Sequence, residues 1–172
     1  MFESAQERIL DLIFKYPYTR FSYRDIERKT GVSIGSVSKF VKQLSEKKII
    51  NIEIRPNAKY VSGNTSNPLF TSLKRINNMN SIMESGLVER LDRKLRSDAI
   101  ILFGSFERGE DSEKSDIDIC IVGGRKRGFN LKPYEKKLAR QIDTIKYRPK
   151  RASRGFKNSI ANGIVLKGYN EL

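Results

Sequence analysis

Two aspartates one residue apart, Asp116 and Asp118, interrupt the apolar run "DIDICIV". A carboxylate inside an apolar strand is costly unless something there needs it. Side chains at i and i+2 of a strand share a face. The two carboxylates are therefore expected to point the same way, with Ile117 and Ile119 turned into a core. Two such acids repel, and one would hold a proton at neutral pH unless a cation compensated them. Divalent ions shared by such a pair can clamp the attacking and leaving oxygens of a phosphoryl transfer. Upstream, Gly104 and Ser105 follow the apolar run "AIILF". They are expected to open a helical turn whose N–H groups, with the Ser105 hydroxyl, hold phosphate oxygens. Arg108 lies one turn on, where it can pair with a phosphate.

The composition bounds what else this chemistry can involve. The chain has 172 residues, room for one or two small domains with modest cores. It holds one cysteine, Cys120, and no histidine, so an internal disulfide is excluded and zinc lacks its usual ligands. Oxygen donors favour magnesium or manganese. No apolar run approaches the ~20 residues of a membrane span, and "MFESAQERIL" does not read as a signal peptide. A cytoplasmic protein is expected. The net charge of +14 points to polyanionic partners; a plain lysine-rich solvated surface is the alternative. Residues 1–75 hold 14 Lys/Arg and 7 Asp/Glu, a net +7, while residues 119–172 hold 14 and 3, a net +11.

The elements that must position these residues follow from periodicity and punctuation. Residues 4–16 read as an amphipathic helix broken by Pro17. "FSYRDIERKTG" reads as a second helix, N-capped by Ser22 and ended by Gly31. A third is capped by Ser33, with Ile34, Val37, Val41 and Leu44 at helical spacing. "IINIEI" and "AKYVSG" form a hairpin around "RPNA". The stretch "VSIGSVSKFVKQLSEKKII" resembles the second helix pair and the start of the wing in bacterial and archaeal winged-helix regulators. With that third helix's apolar positions buried, Ser33, Ser36, Lys39, Lys42 and Gln43 lie outward. Hydroxyls, an amide and two bases suit groove and phosphate contacts, and Arg55 and Lys59 flank the wing turn. A protein-docking winged helix with a solvated basic face is the alternative.

The polar stretch from Asn64 to Pro68 is the expected junction. Two helices with a break near Gly86 follow, then the strands "AIILFG" and "IDICIV", a short basic helix "PYEKKLARQ" and the strand "IDTIKY". A helix "RGFKNSIANG" closed by Gly163 and a last strand "IVLKG" complete the chain. The expected organisation is α+β: a winged helix-turn-helix in residues 1–65, a helical connector in 66–84, and a mixed sheet flanked by helices in 85–172. The segment "GGRKRG", Gly123 to Gly128, is expected to border the site, as a triphosphate or polyanion contact or as a solvated loop.

In "LFGSFERGEDSEKSDID", ten residues separate Gly104-Ser105 from Asp116-Ile117-Asp118. This composite, with Arg108-Gly109 and Ser115 in place, resembles the signature of the DNA polymerase β-like nucleotidyltransferases, in particular their minimal (MNT) branch. The ending "ANGIVLKGY" is also similar to that of minimal members. The resemblance implies Mg²⁺-dependent transfer of a nucleoside monophosphate from an NTP, AMP from ATP for choice, to a hydroxyl with release of pyrophosphate. It implies that Asp116 and Asp118 hold metal, and that Gly104, Ser105, Arg108 and Ser115 contact the nucleotide. It also implies a third acid on a neighbouring strand. Asp143 in "QIDTI" is the acid placed for that role; an acid that caps or edges a strand is the other reading. MNT proteins of toxin–antitoxin pairs modify a HEPN-type toxin, so the resemblance admits a protein acceptor and an antitoxin role. A competing reading keeps the fold and drops the catalysis: a DNA-binding transcriptional regulator that senses nucleotide.

Overall fold

The computed structural model describes residues 4–125 and 128–169. The chain divides into two compact units, Met1–Asn77 and Asn78–Leu172. In the first, α1 (Ala5–Lys15) starts at a reciprocal cap: Ser4 N–H donates to Glu7, and Glu7 N–H donates to the Ser4 hydroxyl. Its apolar stripe buries Ile9, Ile13 and Phe14. A two-residue strand, β1 (Phe21–Ser22), was not expected from so short a run. Ser22 and Asp25 then cap α2 (Tyr23–Thr30), which ends at Gly31.

Helix α3 (Ile34–Glu46) buries Val37, Val41 and Leu44. Two expectations for it fail. Ser33 occupies the N-cap position, but its hydroxyl bonds Ser36 and makes no capping bond to the backbone. Glu27 supplies the acceptor for the Ile34 N–H, at 3.0 Å. Ile34 is 45% exposed, because the first turn projects past the core that its spacing predicts it should enter. Strands β2 (Ile50–Arg55) and β3 (Ala58–Gly63) pair antiparallel, and β1 joins β3, giving the order β1-β3-β2.

Helix α4 (Pro68–Ser85) begins in the first unit and ends in the second. Its Phe70 fills the first core, edge-on to Phe14 at 5.2 Å between centroids. A fragment meant to keep that core must therefore extend past Phe70.

In the second unit, α5 (Leu87–Leu95) follows a break at Gly86 and buries Leu87, Val88, Leu91 and Leu95. Each such burial is worth about 1.5–3 kcal/mol in transfer free energy. The sheet contains β4 (Ala99–Phe103), β5 (Ile117–Val122), β6 (Ile142–Lys146) and β7 (Ile164–Gly168), in the order β6-β5-β4-β7. Only β5 and β6 run parallel. One face of the sheet, with Ile100, Leu102, Ile117 and Ile119, packs with α5. The other, with Ala99, Ile101, Phe103 and Cys120, packs with Phe156 and Ile160 of α8 (Arg154–Ala161). Helix α8 ends at Ala161 with Asn162 as its C-cap, one residue before the expected glycine. Gly163 serves a close approach instead, since a Cβ there would stand 2.6 Å from the Leu102 carbonyl oxygen. Short helices α6 (Gly104–Arg108) and α7 (Lys132–Leu138) complete this unit.

Candidate active site

Strand β4 delivers the Gly-Ser pair. Its five residues are all buried, which fixes the point where the chain turns into α6. Gly104 makes that turn with φ +84°, and a Cβ there would overlap the Asp118 carboxylate. Only glycine lets the backbone pass this close to the acid. The first turn of α6 presents N–H groups that lack intrahelical acceptors, beside the half-buried Ser105. Arg108 is exposed and donates Nε to Glu110 at 2.7 Å.

Asp118 sits within β5, on the face that packs with α8, and its Cα partner on β4 is Phe103. Asp116 lies just before the strand and is exposed, so it is not in the strand interior as expected. On the other side of β5, the parallel register sets Asp143 opposite Asp118. Ile142 is buried with Ile117 and Ile119 on the opposite face, which turns Asp143 to the side of Asp118. Burial pushes the Asp118 carboxyl above its usual range; the Asp143 and then the Asp116 carboxylates add to the rise, and Arg108 opposes it.

The arrangement therefore gathers Gly104, Asp118, Asp143 and Asp116, with Arg108 close enough to act on them electrostatically. Among the described residues, no three Asp, Glu, His or Cys side chains converge as a ready-made metal cage. The donors nonetheless suit a hard divalent cation. All are carboxylate oxygens, and a cation would relieve the repulsion that adds to the effect of burial on Asp118.

Ser115 and Asp116 line a cleft of about 610 Å³ together with Lys114, Arg140 and Gln141. Gly104, Asp118 and Asp143 are not among the residues that line it. The Ser115 hydroxyl accepts from Ser112 N–H at 3.0 Å, which ties the loop before Asp116 into a turn.

A buried polar cluster supports this loop, and no motif pointed to it. Asp111 accepts from Asn78 Nδ2 at 2.7 Å and lies 3.7 Å from the Arg140 guanidinium. Asn78 also donates to the Phe106 carbonyl at 2.8 Å, which links α4 to α6. All three side chains are more than nine-tenths buried. Their acid, amide and base are 33 and 29 residues apart, beyond any local pattern.

Of the other expected contacts, Lys39, Lys42 and Gln43 are exposed on α3, Ser33 is exposed at its N-cap and Ser36 is half-buried. Lys59 is exposed on β3. Arg55 is exposed but engaged: it donates to Glu53 at 2.8 Å and stands 5.5 Å from the Tyr60 ring centre. Within "GGRKRG", Lys126 and Arg127 lie outside the described residues. Arg125 is exposed, and its N–H holds the Leu95 carbonyl at 2.7 Å. Among the described residues, no helix is long and apolar enough to cross a membrane.

Comparison with curated proteins and with solved structures finds no match. Residues 84–164, from the end of α4 to the start of β7, match the family model of the nucleotidyltransferase domain, which supports nucleotidyl transfer in general.

Proposed function

We propose that the second unit transfers a nucleoside monophosphate, AMP from ATP, to a hydroxyl acceptor in the manner of the minimal nucleotidyltransferases. The observation that carries this reading is the parallel register of Asp118 with Asp143 beside the Gly104 backbone. Asp116, Asp118 and Asp143 would hold Mg²⁺ or Mn²⁺, which when bound neutralises triphosphate charge and polarises the reacting oxygens. The Gly104–Ser105 turn binds phosphate oxygens through N–H groups and the hydroxyl. Arg108 exchanges Glu110 for a phosphate oxygen, a stronger partner through paired charge-assisted bonds. Ser115 fixes the loop that presents Asp116.

The acceptor oxygen bonds to the α-phosphorus as the bond from that phosphorus to the bridging oxygen breaks. Pyrophosphate leaves with the electron pair, and the acceptor proton passes to the Asp143 carboxylate. Incubation with each α-labelled NTP, Mg²⁺ and cell extract tests the reading. Label entering a macromolecule, with pyrophosphate release that Asp118→Asn abolishes, is the expected result. No labelled product from any NTP would overturn it. The same experiment separates a protein acceptor, such as a HEPN-type toxin, from other hydroxyl compounds.

The first unit has the element order of a winged helix-turn-helix, and DNA is its proposed ligand. The outward Ser33, Lys39, Lys42 and Gln43 of α3 support this. Salt-dependent binding of duplex DNA by the full chain, weakened by Lys39→Ala and Lys42→Ala, is the test.

A further inference from the structure

From the end of β6 to the middle of α8 the chain reads "KYRPKRASRGFK", six Lys/Arg and no Asp/Glu. Arg148, Lys150, Arg151, Arg154 and Lys157 are all exposed. Among the described residues, these five form no ion pair. Several bases elsewhere do meet acids: Arg20 and Arg55 meet Glu53, Arg28 meets Asp25, Arg108 meets Glu110 and Lys167 meets Asp92. Crowding like charges without acids works against the compact state, so this run carries a cost.

The fold gives the run a location. Arg148 accepts backbone bonds from Arg151 and Ala152, which coils the basic run into a compact turn ahead of α8. Helix α8 then lies on the sheet face that carries Asp118, with Phe156 edge-on to Phe103 at 5.6 Å. Phe103 is the Cα partner of Asp118. Arg154 and Lys157, on either side of Phe156 in sequence, extend the positive run along this helix.

We propose that Arg148, Lys150, Arg151, Arg154 and Lys157 form a second nucleic-acid surface, separate from α3, that holds a phosphodiester backbone on the α8 side of the sheet. A nucleic-acid strand supplies a row of anions of one sign, the complement of a row of cations without acids. Three of the five are arginines, whose guanidinium fork matches phosphate oxygens in pairs. The large apolar side chain within the run, Phe156, is packed on Phe103 rather than offered outward, which disfavours a membrane surface. The surface does not depend on nucleotidyl transfer, so its test stands apart from that of the transfer reading.

The test uses the full chain and a fluorescent 20-nucleotide RNA, with a duplex DNA of equal length as the second arm. The variant R148Q/K150Q/R151Q/R154Q/K157Q is compared with a charge-matched control, R90Q/R93Q/R96Q/K132Q/K136Q, also at exposed positions. Each phosphate contact on a single strand contributes about 0.7 to the slope of log K against log salt. The surface variant is expected to lose roughly 2–3 from that slope and at least about tenfold in affinity near 0.1 M salt. The control is expected to lose less than half as much. Stronger loss on RNA or on duplex identifies the preferred strand form. Equal losses in the two variants would overturn the proposal, and so would displacement of the RNA by polyglutamate at equal charge concentration.

Discussion

Replacing Gly104 by alanine separates backbone strain from site chemistry. Gly104 has φ +84°, and a Cβ there would overlap the Asp118 carboxylate oxygen and stand 3.2 Å from its Cγ. The left-handed backbone alone costs an L-residue about 1–2 kcal/mol. Gly86 provides the reference, with φ +78° and no heavy atom within 4 Å of its would-be Cβ. Gly86→Ala therefore carries the backbone cost alone, and each kcal/mol lowers the melting temperature of a domain this size by roughly 4–8 °C. Gly104→Ala carries that cost and the overlap, which Asp118 can relieve by moving about 1 Å. A misplacement of that size costs about 10²-fold in rate. Pyrophosphate release is thus expected to fall about 10²-fold in Gly104→Ala and to stay within a few-fold of wild type in Gly86→Ala, with thermal melts recording stability. In an Asp118→Ala background the Cγ contact is gone and the Cβ at 3.4 Å is ordinary contact. The stability cost of Gly104→Ala should then shrink to that of Gly86→Ala, a direct double-mutant cycle. If the two alanine variants melt and turn over alike in the wild-type background, the close approach of Gly104 to Asp118 does not organise the site.

Further predictions follow from the same geometry. Asp118→Asn should raise thermal stability at neutral pH in metal-free buffer: burial and the neighbouring carboxylates make the folded carboxyl titrate above its ordinary value, so wild type loses stability as pH climbs from that unfolded value through the folded pKa. The gain should vanish below the unfolded value and reverse at saturating Mg²⁺, which stabilises only the wild type; a melting temperature unchanged at every pH would refute it. Asp143→Asn should keep ATP affinity near wild type in a binding assay while transfer drops by about 10²-fold or more, the scale of a lost general base. Asp111→Ala should cost about 3–5 kcal/mol, because it strips a buried guanidinium of an anionic neighbour; a denaturant midpoint close to wild type would contradict the role given to this cluster. In the first unit, Lys39→Ala and Lys42→Ala should each flatten the salt dependence of duplex DNA binding by roughly 1.

What the sequence by itself determined is the local layer. Capping at Ser22, the breaks at Gly31 and Gly86, the hairpin around Pro56 and the apolar periods of α1, α3 and α5 are short-range codes, legible because each depends on residues within a turn or two. The Gly104-Ser105 pair and the two aspartates were legible for the same reason: one loop joins them, and residue type states the chemistry. Tertiary structure decided the rest. Nothing within a few residues of Asp143 sets its register; pairing of β6 with β5 and burial of Ile142 turn its carboxyl to the side of Asp118. Glu27 caps α3 from the preceding helix, and Phe70 completes a core begun by Phe14. Asn78, Asp111 and Arg140 form one buried cluster drawn from three distant segments. Hydrogen-bond register and charge pairing across such separations are chosen by how the hydrophobic faces pack, and that choice exists only once the chain has folded.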